Sequence, residues 1–172
     1  MIKTIITAIL SNPLISLGFI AFISAFALSA AFIGEHVFGL QPCNLCVYQR
    51  YPFAIGIILG LIGMALYRKI MVSRITLGVL GINFLINSAI AFYHTGVEQK
   101  WWVSALEGCV VPMLEKGKSL LESIMGTPLT SCTDIQWQDP ILGLSMANYN
   151  IVLCFGLFVF CMASAVMTRN SK

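Results

Sequence analysis

Four long apolar stretches decide what this chain can fold into. Residues 13–33, about 45–67, 75–93 and about 149–167 carry almost no charge. At 1.5 Å per helical residue, each is long enough to cross roughly 30 Å of hydrocarbon. Within a bilayer a segment must satisfy its own backbone hydrogen bonds, which helices do. The expected fold is therefore an all-α four-transmembrane-helix bundle. Of 172 residues, 58% are hydrophobic and 10% charged, whereas soluble domains are about one quarter charged. The spans leave little chain for a separate soluble unit, so residues 1–172 are read as a single integral membrane domain with no nucleic-acid partner.

Lysine and arginine set the orientation, because cytoplasmic loops carry an excess of them. With both termini cytoplasmic, Lys3, Arg68, Lys69, Arg74, Arg169 and Lys172 lie inside. The outer loops are then about 34–44 and 94–148, and all seven acids fall in them. The alternative for the N-terminus is a cleaved signal peptide, against which its apolar run is longer than the ~7–15 residues of a signal core. Within the long outer loop, apolar residues recur at helical spacing over 110–125, with Glu115, Lys116, Lys118 and Glu122 on the opposite face. This pattern predicts a short amphipathic helix lying on the outer membrane surface, or else packed on a partner or on the top of the bundle.

Six cysteines divide by side of the membrane. Cys154 and Cys161 sit seven apart in the fourth span, about 10 Å along one helix, too far to be bridged. They read as small buried apolar residues. Cys43, Cys46, Cys109 and Cys132 fall in or beside the outer loops, where disulfides persist.

The stretch QPCNLCVYQR joins a Cys-x-x-Cys pair to a helix entry at Pro42 and to Arg50, four residues after Cys46. A thiol in a first helical turn sits near unpaired N–H groups and the positive end of the helix dipole, and Arg50 adds a fixed charge. Such settings favour the reactive thiolate. Spacing alone leaves three readings: redox chemistry, metal binding, or a passive disulfide staple with Arg50 snorkelling to the interface. Val47 follows the pair where a haem-attachment motif needs histidine, and the chain has no dinucleotide fingerprint or phosphate loop. A disulfide between Cys109 and Cys132 would be either structural or exchangeable, and in the second case two outer pairs form a relay.

The residues resemble the DsbB family of disulfide bond formation proteins. The likeness rests on four spans, PCNLCVYQR at the second, FYH ending the third, a cysteine pair in the long outer loop, and LGLSMANYN entering the fourth. It implies a quinone-dependent membrane oxidase of the bacterial inner membrane that reoxidises a periplasmic DsbA-like thiol oxidase, using ubiquinone or menaquinone. Cys43 and Cys46 are then the quinone-linked pair, with Cys46 facing the quinone. Cys109 and Cys132 are the pair that oxidises the partner, through Cys109. Arg50 and His94 occupy positions associated with quinone binding, and no metal is implied. Gln49 stands where the family often has an acid. Two readings of other classes remain: a tetraspan scaffold with inert disulfides, and a metal-binding membrane protein using these thiols with His36 or His94.

Overall fold

The computed structural model describes residue 7 and residues 9–104 and 131–168. The expected surface helix over 110–125 and Cys109 lie outside the described residues. Five helices are described: α1 Pro13–His36, α2 Asn44–Tyr48, α3 Tyr51–Ala65, α4 Ile70–Glu98 and α5 Met146–Met167. With α2 and α3 taken as one span, four segments are long and apolar enough to cross a membrane, in agreement with the four stretches read from sequence.

The second span is interrupted, where the sequence predicted one continuous helix. Pro52 has no N–H to donate, and the chain turns at Gln49 and Arg50 before α3 starts. Carbonyls at this break are taken by α4, on which Asn83 Nδ2 donates to the Pro52 oxygen at 2.9 Å and Asn87 Nδ2 to the Gln49 oxygen at 3.2 Å. Two amides one turn apart, Asn87 buried and Asn83 half-buried, thus bond to backbone at the interruption.

Pairing in the bundle is uneven. The most extensive contacts are α4 with α5 and α1 with α3. Small residues bring the second pair together: a Cβ on Gly60 would lie 2.9 Å from Ala21 Cβ and 3.2 Å from the Leu17 carbonyl oxygen. Gly56 and Gly60 are spaced as in the close-approach motif of membrane helices. The central core is Leu17, Ile20, Phe53, Leu77, Leu80, Phe84 and Leu157, with the Cys154 and Cys161 thiols buried among them as expected. Large apolar side chains such as Phe22, Ile58, Ile82 and Val152 face outward, as a lipid-facing surface requires.

The helix ends differ from the expected span limits at one place that matters. α4 continues to Glu98, so His94, expected at the start of the outer loop, is within the helix and only 4% exposed. Beyond it Trp102 folds back over Gly96, where any Cβ would collide with the indole. There the ring stacks on Tyr93 and donates from Nε1 to the Tyr93 carbonyl at 3.1 Å. Trp101, Trp102 and Trp137 all lie at this end of the bundle, the headgroup level favoured by tryptophan.

Candidate functional site

Cys43 is the N-cap of α2. Its extended backbone lets the sulfur accept the Cys46 N–H at 3.2 Å, so a thiol fills the role usually taken by a hydroxyl. Cys46 therefore sits in the first helical turn, as the sequence predicted, and the two sulfurs approach to 2.8 Å as free thiols. The Cys43 thiol is pushed well above its ordinary range, first by its hydrogen bond to the Cys46 sulfur and then by burial.

His94 reaches the pair from α4. Its Nε2 lies 3.4 Å from Cys43 Sγ and 3.6 Å from Glu98 Oε1, one turn along the same helix. Glu98 is fixed in turn by the Ser145 hydroxyl, which donates to Oε2 at 2.5 Å, while Ser145 Oγ caps α5 by accepting the Asn148 N–H. On the other ring nitrogen, Nδ1 is 2.9 Å from Gln49 Nε2. Arg50 lies at the break between α2 and α3, where its Nη1 donates to Glu35 at 2.6 Å and its guanidinium stands 5.1 Å over the Phe32 ring. This pair links the second span to the end of α1.

Cys132 is disulfide-bonded and 1% exposed. Together with Cys43, Leu45 and Val97 it forms one buried cluster, against which Cys46 and Tyr93 also pack. The long-loop cysteine and the helix-entry pair thus share a core. A cavity of about 360 Å³ opens beside them, within the roughly 300–1,000 Å³ range of small-molecule sites. Cys46, Arg50, His94 and Glu98 supply polar groups, and Phe53, Leu153 and other apolar side chains of α1, α3 and α5 supply the walls.

The family model of Disulfide bond formation protein DsbB matches residues 14–164. The chain belongs to the DsbB family. Among its relatives, a disulfide bond formation protein B of Xanthomonas axonopodis pv. citri is 30% identical over 166 residues, covering 91% of each chain. That of Histophilus somni is 30% identical over 158 residues, covering 88% of this chain and 86% of its own. An uncharacterized protein of Rickettsia prowazekii is 31% identical over 141 residues, covering 80% of this chain and 79% of its own. No solved structure matches. As a DsbB-family protein with four membrane-capable helices, the chain is a membrane oxidoreductase of disulfide bond formation.

Of the expected site residues, the fold brings Cys43, Cys46 and His94 into contact, places Cys132 in the same buried cluster as Cys43, and lines the adjoining cavity with Arg50. Sequence reading passed over Glu35, Glu98, Asn87, Asn150 and Ser145. Glu98 had a signal, since it follows His94 by one helical turn once α4 is drawn long enough, and Ser145 and Asn150 lie within the LGLSMANYN stretch. Cys43, Cys46 and His94 are also a set of metal-ligating types, with their donor atoms within 4.8 Å of one another. His36 lies apart from them, with Nδ1 on the Phe32 carbonyl of its own helix.

Proposed function

We propose that the protein passes electrons from a periplasmic DsbA-like thiol oxidase to membrane quinone, through Cys109 and Cys132 and then Cys43 and Cys46. The observation that carries this reading is the one buried cluster that holds both Cys132 and Cys43, because thiol–disulfide exchange requires one sulfur to reach another. Partner oxidation starts by attack on Cys109. The loop dithiol so formed is reoxidised by the Cys43–Cys46 disulfide, whose two sulfurs take up the electron pair. A quinone held beside Cys46 would supply the two-electron, two-proton acceptor, while Cys43 and Cys46 give up both thiol protons as their disulfide re-forms.

The residues present fit such a group. The cavity has apolar walls for an oil-soluble ring, Cys46 lines it, and Arg50 offers guanidinium donors beyond the one engaged by Glu35. A fixed cation aimed at a carbonyl oxygen stabilises charge that develops there. The proposed setting is the bacterial inner membrane, with both termini cytoplasmic and the cysteine end periplasmic, in one integral membrane domain over 1–172.

The steps separate by mutation. Cys109→Ser or Cys132→Ser should abolish oxidation of a DsbA-like partner while leaving Cys43 and Cys46 oxidisable by added quinone. Cys46→Ser should stop quinone reduction by any dithiol. Wild-type turnover of the partner by Cys46→Ser, with quinone as sole acceptor, would overturn the relay.

A further inference from the structure

Gln49, Asn150 and Cys154 belong to one line of polar groups, buried at Gln49 and Cys154 and half-buried at Asn150, that leads to the thiol pair. Asn87 Nδ2 donates to Cys154 Sγ at 3.2 Å, and the Cys154 thiol donates to Asn150 Oδ1 at 3.1 Å. Asn150 Nδ2 donates to Gln49 Oε1 at 2.6 Å. The Gln49 amide therefore turns its Nε2 to His94, 2.9 Å from Nδ1. With Nδ1 accepting, neutral His94 carries its proton on Nε2, the atom 3.4 Å from Cys43 Sγ. Cys43 then has a donor on one side and the Cys46 sulfur, at 2.8 Å, on the other. Every link points the same way, from α5 to the sulfur that lines the cavity, and such one-way chains strengthen link by link.

We propose that this chain of Cys154, Asn150, Gln49 and His94 is a positioning device that keeps the proton of the reduced pair on Cys43 and its negative charge on Cys46. The proposal rests on the redox reading of the pair and assigns a role to a thiol that sequence reading left as filler. Gln49 is the critical link, because an amide both accepts and donates. A carboxylate at this position would only accept, and would draw the His94 proton to Nδ1. Nε2 would then become an acceptor and compete with Cys46 for the Cys43 proton. At the other end Cys154 fixes the Asn150 amide. Without its S–H, Asn150 and Gln49 are both free to turn over, and the direction of the chain is lost.

Titration of Cys46 is the direct readout. The groups that bear on it are Cys43 and Arg50 beside it, Glu35 on α1 through Arg50, His94 and Glu98 on α4, Asp134 in the loop, and Tyr149 and Cys154 on α5. Reduced full-length protein, freed of quinone and with no partner, is alkylated with iodoacetamide across a pH series, and Cys46 and Cys43 are read separately by peptide mass spectrometry. In the wild type Cys46 should react at lower pH than Cys43. Cys154→Ala, Asn150→Leu and Gln49→Glu should slow Cys46 alkylation at neutral pH about fivefold, the worth of one net hydrogen bond. Cys154→Ser, which keeps a donor, should retain the wild-type profile. Nitrogen-15 NMR offers a second measurement, since the chain has two histidines: His94 should be protonated on Nε2 in the wild type and at least partly on Nδ1 in Cys154→Ala. Wild-type Cys46 profiles in both Cys154→Ala and Asn150→Leu, with unchanged thermal melting, would overturn the proposal. So would a Cys154→Ser profile equal to that of Cys154→Ala, which would make the thiol a packing group. No outcome depends on quinone turnover, so a failure of the relay would be seen separately in the partner assay.

Discussion

At the scale of single residues, Arg50 shows how a costly group is kept at the edge of the hydrocarbon. A lone arginine there would be expensive, and two features offset the cost: the Glu35 carboxylate at 2.6 Å and the Phe32 ring beneath the guanidinium. Both come from the end of α1, so the charge is held in place over the cavity rather than swinging out to water. A planar guanidinium also offers several directed donors, which a lysine ammonium lacks. Arg50→Lys is accordingly expected to raise the apparent KM for quinone with little change in kcat. Arg50→Met should lower kcat as well, on the order of 10²–10³-fold, as for removing one oxyanion donor. Steady-state quinone reduction by a reduced partner, measured over a range of quinone concentrations, checks both. Unchanged kinetics in both variants, with the Cys132 disulfide intact, would leave Arg50 as an interfacial anchor.

At the scale of elements, two features hold the site's walls together, and each makes a separate expectation. The seam between α1 and α3 depends on Gly60, where an added Cβ meets both Ala21 and the Leu17 backbone. Gly60→Val should force these helices apart and destabilise the protein by roughly 1–3 kcal/mol, the usual cost of overpacking. Its detergent-solubilised thermal melt should fall below that of Gly78→Val, where an added Cβ meets nothing. The second feature is the turn that leads into α5. The Asp139 carboxylate accepts the Ile141 and Leu142 N–H groups and the Tyr149 hydroxyl, while Gly143, at φ +65°, takes the left-handed conformation that closes the turn. Those backbone donors, the Leu142 N–H foremost, hold the Asp139 carboxyl below its ordinary range. Because the folded value is depressed, the contribution is fully present above the ordinary aspartate pKa of about 3.9 and is lost as pH falls through the lower folded value. Amide exchange at residues 141–142 should therefore stay protected at neutral pH and open in acid. Protection that holds equally at pH 7 and well below the ordinary aspartate pKa would show that the carboxylate does not secure the turn.

At the scale of the whole molecule, the bundle separates two chemistries. Arg68, Lys69 and Arg74 gather at one end, where Arg74 Nη2 donates to the Thr168 carbonyl at 2.8 Å and ties the start of α4 to the end of α5. The cysteine pair, Cys132, Glu35, Glu98 and Asp139 lie at the other. The proposed orientation places the first end in the cytoplasm. In a variant that keeps the native cysteines, Lys69→Cys should be labelled by an impermeant maleimide only after the inner membrane is opened. Trp137→Cys, at the opposite end, should be labelled in intact spheroplasts. The reverse pattern would invert the protein and remove the periplasmic role of its thiols.

The spans, their number and the reactive pair at a helix entry were legible in the sequence because each depends on local physics. Apolar length satisfies lipid, a proline and a short spacing start a helix, and a Cys-x-x-Cys pair is confined to one turn. The resemblance to DsbB proteins added roles for Arg50 and His94 but could not say what holds them. That depended on contacts between residues far apart in the chain. Glu35 meets Arg50 across fifteen residues, Gln49 meets His94 across forty-five and Asn150 across one hundred and one, and Cys132 joins the buried cluster that holds Cys43. None of these pairings has a period or a motif, since each follows from how α1, α4 and α5 pack around the interrupted second span. The same packing decided that His94 is buried in a helix rather than exposed in a loop. Composition and periodicity committed this chain to a membrane and set its thiols at the boundary; helix packing alone chose the groups that surround them, because only close approach in three dimensions can give a buried polar atom its partner.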